Sequence, residues 1–389
     1  MLKMIKYNLK KRTLLILITT IVVLAIGFAM FIGNDFLREY YIYTDQSYNQ
    51  GHEVIGPDTS PIMFITVIAC ILCTIIPVIE FSFKMSKVNI DQMYSLPIKR
   101  DKLYIAKFIS GFIEILIPVL SCYIFCLLKI LSTDHMYNLI HLLPYLGCLL
   151  FFMFILYATI VFFFTRGNTV VDGIMNILFI IFLFAILIEV MDDVFRLPYP
   201  YRDTFIGTYF DSGLSFLYSP IVFVTNIFNN KLSFEALTEI FKDGVNRSPG
   251  RIILETPEIV SIIMFSLIGI VSSILLIKLN KEDKAENSMQ VSNSWFSYKT
   301  MIPIYFSMIC LVMCENSELV GFIFLFVGTY VAYVIYRRTL KIKKRDIIVI
   351  GICFVSMIII YILYENYKSG LPLIKELTPP VSNIIQLLN

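Results

Sequence analysis

Charged side chains set inside apolar runs are where this chain could do chemistry, because an ionised group in hydrocarbon is costly and is kept for pathways, relays or partners. Glu114 is the foremost of them, about one and a half turns into the apolar run 108–131. Three roles suit it: lining a polar pathway, pairing with Lys107 seven residues earlier, or facing a neighbouring helix. Glu80, near the end of the run 61–83, and Asp172, just ahead of the run 173–188, lie where a carboxylate reaches headgroups or water. No catalytic constellation surrounds these acids. His52, His135 and His141 are scattered, His52 and Glu53 lack the second histidine of a zinc helix, and Asp192 with Asp193 lacks a matching acidic motif for a magnesium diphosphate. The eight cysteines all fall in apolar runs, where they are expected to pack as small hydrophobes, and Cys70-x-x-Cys73 has no companion His or second pair nearby. There is no Gly-x-x-x-x-Gly-Lys-Ser/Thr phosphate loop, so the chain does not hydrolyse ATP in the P-loop manner. Neither catalytic residues nor a bound metal or cofactor is expected on it.

The elements that must position these residues are membrane spans. The 389 residues are 58% hydrophobic and 16% charged, with a mean hydropathy of +0.78, outside the range of soluble globular chains. A crossing helix needs about 20 apolar residues, which places spans at 14–31, 61–83, 108–131, 142–164, 173–188, 259–277, 300–314, 319–336 and 347–364. The first is read as a retained anchor, since it exceeds a signal-peptide core and lacks a small-x-small cleavage site. With the N-terminus in the cytoplasm, the inner segments hold 22 of the 32 Lys and Arg residues and the outer ones 10, as the positive-inside rule requires. A further crossing at 214–228, interrupted by Ser219-Pro220, would lower that bias to 18 against 14, so this stretch is read as a re-entrant or interfacial hairpin on the outer face. It lies in a long outer segment, 189–258. The outer side is acidic and rich in tyrosine, which suits interface anchoring and would also receive cationic amphipathic peptides. The basic residues occupy short junctions and form no patch, which excludes nucleic acid as a partner.

Two inner segments carry a mechanism. Residues 1–12 form an amphipathic helix with Leu2, Ile5 and Leu9 on one side and Lys3, Lys6 and Lys10 on the other, suited to anionic headgroups along the inner leaflet. In the second inner junction, 84–107, Ile90, Met93 and Tyr94 share one face of a short helix. Because Leu96 precedes Pro97, that helix should end about Ser95. Asp101 then helps to start the third span, its charge matched to the helix dipole. A short helix, a stiff elbow at Pro97 and a long helix in series would transmit a push with little loss.

Leu96-Pro97-Ile98-Lys99-Arg100, with Lys107 at the start of an apolar span, resembles the second cytoplasmic junction of permease subunits of the type-2 ABC exporter superfamily. The basic N-terminal helix, six spans in the first 280 residues, the outer hairpin between spans five and six and the NKEDKAEN junction before three more spans are similar to its long bacterial forms, which work with a separate ATPase subunit. The resemblance covers the whole chain by layout and residues 93–107 by motif. It implies an all-α integral membrane protein with a six-helix core, 1–280, and a three-span extension, 281–389, in a bacterial plasma membrane. It further implies a second permease, identical or different, and a cytoplasmic ATPase carrying the ATP and magnesium. Ile90, Met93, Tyr94, Leu96, Pro97 and Arg100 would form the contact with that ATPase, and Lys107, like Arg100, would also reach lipid phosphate. The cargo implied is an amphipathic compound, such as an antimicrobial peptide or a lipid-like molecule. The competing classes are an intramembrane enzyme, which lacks its constellation here, and an ion-coupled secondary transporter, which would favour two related halves with interrupted helices; no such repeat is found.

Overall fold

A computed structural model describes residues 1–33, 41–44, 53–56, 60–132, 139–194, 239–241, 244–246, 256–282, 286, 288–290, 292, 294–316 and 319–370. The stretch 214–228, expected as an outer hairpin, and most of the outer segment 189–258 lie outside the described residues. Helix dominates what is described. The helices are α1 (Leu2–Lys11), α2 (Thr13–Gly33), α3 (Ser60–Phe81), α4 (Lys87–Tyr94), α5 (Arg100–Ser132), α6 (Leu139–Thr165), α7 (Val170–Val194), α8 (Thr256–Glu282), α9 (Tyr298–Asn316), α10 (Leu319–Arg337) and α11 (Lys344–Gly370). Two short antiparallel strand pairs accompany them: β1 (Tyr41–Thr44) with β2 (Glu53–Gly56), and β3 (Glu239–Phe241) with β4 (Gly244–Asn246).

Eight of the nine apolar runs fall within a helix, and the remaining one, 61–83, follows α3 and runs two residues into the 3₁₀ turn after it. Among the described residues five helical stretches are long and apolar enough to cross a membrane, and a sixth is reached if α1 and α2, bent by 61° at Arg12, are taken as one broken span. Over the described residues the apolar parts of α7, α8 and α9 are shorter, at Val170–Leu183, Ser266–Leu279 and Tyr298–Cys314. This is a multi-pass membrane protein by the length and composition of its helices.

The chain divides into two compact units, one of Met1–Asp192 with Arg196–Lys299 and one of Asp193–Phe195 with Thr300–Asn389. In the first, α5 is the central helix: it packs on α1, α2, α3 and α8, while α6 packs on α3 and α8. The packing faces follow helical periodicity. Ile65, Ala69, Cys73 and Ile76 line the buried side of α3, and Ile115, Val119, Cys122 and Cys126 that of α5. Cysteines on these stripes behave as small hydrophobes, and all eight are free thiols. Among the described residues no His, Cys, Asp and Glu cluster could hold a metal.

The first unit extends through Lys299, past residue 280, because the stretch after α8 straps back onto the turn between α6 and α7. Met289 N donates to Asn168 O at 2.9 Å, Ser292 Oγ to Arg166 O at 2.8 Å, and Tyr298 Oη to Asp172 Oδ1 at 3.3 Å. Ser297 Oγ bonds Asn176 Oδ1 at 3.1 Å, and Phe296 sets its ring edge-on to Phe162 at 5.1 Å. Asp172, expected near headgroups or water, is therefore buried beneath the strap.

In the second unit Arg337 forks onto Asp346 with three contacts of 2.8–3.1 Å, closing the short turn from α10 to α11. Only 22% of the α10 span and 11% of the α11 span is buried in the chain, so most of their apolar side chains face outward, as lipid contact demands.

Candidate functional site

The site begins with the end of α3. Helix α3 passes through Pro77 and closes at Phe81, a single 3₁₀ turn (Ser82–Met85) follows, and extended Ser86 precedes α4. Helix α4 stops where the proline rule requires, with Ser95 N bonded to Asp91 O at 3.0 Å. After the elbow 95–99, Lys99 O accepts from Leu103 N at 3.1 Å to open α5, with Asp101 in its first turn. Helix, elbow and long helix thus stand in series.

The elbow's side chains divide into two sets. Ile90, expected as an ATPase contact, is 1% exposed; it is covered by its own chain and is unavailable to a partner. The apolar ridge on α4 was legible, but a ridge does not say who covers it. Met93 and Tyr94 are half-buried, and Tyr94 joins its hydroxyl to that of Tyr104 at 3.1 Å while the Arg100 guanidinium sits 4.5 Å above its ring. Leu96, Pro97 and Arg100 are exposed. The exposed apolar surface of the junction also includes Val88 at 66% and Ile98 at 37%, both missed by the sequence reading. Their signal was present, as apolar residues off the ridge that the chain itself buries.

Behind the elbow lies a buried charge cluster. Arg12, at the corner between α1 and α2, places Nε 2.7 Å from Glu80 Oε1 and Nη1 3.8 Å from Glu114 Oε2, and donates from Nη2 to Ile79 O at 3.2 Å. Lys107 Nζ donates to Glu80 Oε2 at 3.0 Å. Lys107 is therefore not at lipid phosphate: it is 5% exposed and neutralises Glu80. Glu114 does not take Lys107 as its close partner at i−7; it faces Arg12 across the helix interface, and its oxygens make no hydrogen bond among the described residues. With all four groups ionised the cluster is neutral, which is how charges at this depth are tolerated.

A close approach holds this cluster. A Cβ added at Gly111 would overlap Tyr157 Oη and come 3.1 Å from Glu80 Cγ, so α3, α5 and α6 meet here because residue 111 has no side chain. Tyr157 Oη in turn donates to Phe108 O at 3.1 Å. Gly111→Ala is expected to lower stability by about 1–3 kcal/mol, read as a drop in melting temperature. Tyr157→Phe in the same chain should recover part of that loss, because it removes the overlapped atom; two losses that simply add would show that the contact is not made.

Helix α1 lies on α5. Lys3, Lys6 and Lys10 are exposed, as expected, but the inward face is Ile5, Asn8 and Arg12 rather than Leu2, Ile5 and Leu9, and Leu2 is 79% exposed. An open cavity of about 650 Å³ runs between α1 and the elbow, with Glu80 and Lys107 in its wall. On its far side the junction is tied to the α6–α7 turn, since Lys84 Nζ donates to Thr165 O and a Cβ at Gly173 would come 2.9 Å from Met85 Cε.

Comparison with protein-family models, curated proteins and solved structures finds no match to this chain.

Proposed function

We propose that this membrane protein is the permease subunit of an ATP-driven transporter of the type-2 ABC exporter kind, passive until a separate cytoplasmic ATPase, which binds the ATP and magnesium, works its elbow. The observation that carries the reading is the series α4, elbow and α5, with Val88, Leu96 and Ile98 exposed on a segment bounded by Lys87, Lys99 and Arg100. Apolar side chains held at a polar surface by a stiff turn favour a partner protein. In this reading a second permease completes the pathway in a bacterial plasma membrane, with the N-terminus cytoplasmic, and the cargo is an amphipathic compound such as an antimicrobial peptide or lipid-like molecule.

Ion-coupled transport is the second reading, and the buried pair Glu80 and Glu114 favours it, since gradient-driven carriers use intramembrane carboxylates. Affinity purification in mild detergent separates the two. From a host carrying the whole locus, an ATPase subunit should be recovered with the chain in about equimolar amount; purification without one, together with uptake or efflux that follows a proton or sodium gradient, would favour the carrier.

A further inference from the structure

We infer that the cavity between α1 and the elbow holds the phosphate headgroup of an anionic phospholipid. This goes beyond the proposed function, because it requires only that α1 lie at a membrane surface and not that an ATPase bind.

Two adjacent rows of α1 border the cavity, and Lys3 and Lys11, two turns apart on the same face, supply its surplus charge. Arg12 and Lys107, also in its wall, are already engaged by Glu80. Neither Lys3 nor Lys11 forms an ion pair among the described residues, so both ammonium groups remain to meet an anion.

Asn8 is the second, independent observation. It borders the cavity, is 3% exposed, and its Nδ2 has no hydrogen-bond partner among the described residues. A buried amide donor without an acceptor is destabilising. The terminal torsion of asparagine is soft, so turning the amide toward the cavity would exchange an unmet donor for a bond to a phosphate oxygen.

The opposite wall selects a lipid over a free phosphate or an acidic peptide. Met93, Leu96 and Ile98 give the cavity an apolar side, suited to the glycerol and first methylenes that follow a lipid phosphate. Leu2 and Tyr7, 79% and 64% exposed, flank the exposed row of Lys3, Lys6 and Lys10 on the same helix, a mixed basic and apolar face suited to a surface of anionic headgroups. A headgroup beside such a helix is already at the height of the cavity.

Native mass spectrometry of the full chain in detergent, with dioleoylphosphatidylglycerol or dioleoylphosphatidylcholine added, tests this. The wild type should retain phosphatidylglycerol in preference. Lys3→Glu with Lys11→Glu should reduce retention about tenfold or more, whereas Lys6→Glu with Lys10→Glu, the same change of net charge away from the cavity, should leave most of it. Asn8→Leu should also weaken retention without lowering the lipid-free melting temperature. Equal retention of the two lipids, equal loss in the two charge-reversed pairs, or displacement of the lipid by millimolar inorganic phosphate would each overturn the assignment. Recovery of the ATPase by affinity purification is independent of all three.

Discussion

Replacing Arg12 by alanine is expected to cost the fold about 3 kcal/mol, near the lower end of the range for breaking a buried ion pair, because the guanidinium keeps 20% exposure while its partners Glu80 and Glu114 have none. The cluster brings the basic side chains of Arg12 and Lys107 to the carboxyl groups of Glu80 and Glu114. Removing Arg12 leaves Lys107 to serve both carboxyl groups, and among the described residues its close contact is with Glu80, at 3.0 Å. With both carboxyls ionised, one net negative charge would then stay buried between α3 and α5. Two further variants make the expectation specific. Arg12→Ala combined with Glu114→Gln should recover most of the lost melting temperature, because it restores neutrality. Arg12→Lys should recover less, since an ammonium cannot fork between Glu80, Glu114 and the Ile79 carbonyl at once. Lys6→Ala, on the exposed side of α1, should stay within about 0.5 kcal/mol of the wild type. An unchanged melting temperature in Arg12→Ala would mean that water reaches these carboxylates and that the corner is not held by charge.

The same cluster marks the limit of what the sequence could reveal. Run length and hydropathy locate the nine helices because burial in lipid acts on composition, and Pro97 ends α4 because the restriction on Leu96 is local. Which side chains turn inward depends on what waits there. Helix α1 and its C-terminal corner present Asn8 and Arg12 to the interior, against the apolar pattern, and Arg12 meets there the two carboxyl groups offered by α3 and α5. Lys107 counts toward orientation like any lysine, yet it is spent on Glu80; a tally of charges cannot separate a buried partner from a topology signal. Ile90 and Leu96 are alike as sequence but opposite in exposure. The strap 288–298 was invisible for another reason: two of its anchors are the main-chain carbonyls of Arg166 and Asn168, which any residue supplies. The strand pair β1 and β2 lies in a segment whose sequence shows charge, aromatic content and the pair His52 and Glu53, but no alternation strong enough to announce a strand.

The elbow yields the largest functional effect expected. Val88, Leu96 and Ile98 changed together to serine should leave the melting temperature nearly unchanged, because the chain itself does not bury them, and should reduce recovery of the ATPase about tenfold to a hundredfold. Each side chain covered by a partner is worth on the order of 1 kcal/mol, and 1.4 kcal/mol is a factor of ten in affinity. Ile90→Ser is the necessary contrast. At 1% exposure it should destabilise the junction by about 2–4 kcal/mol and lose the partner only along with the fold. Arg100→Glu tests the stiffness of the elbow, since it removes the guanidinium held 4.5 Å above Tyr94 without touching the apolar surface. If the elbow transmits force, this variant keeps the ATPase bound while ATP hydrolysis no longer responds to cargo. In that case displacement of the elbow would reach α5 directly and α6 by way of the 3₁₀ turn before α4, whose Lys84 Nζ donates to Thr165 O at the end of α6. Full ATPase recovery by the triple serine variant would remove the docking role from this surface. Full coupling in Arg100→Glu would leave docking there but assign transmission to another part of the first unit.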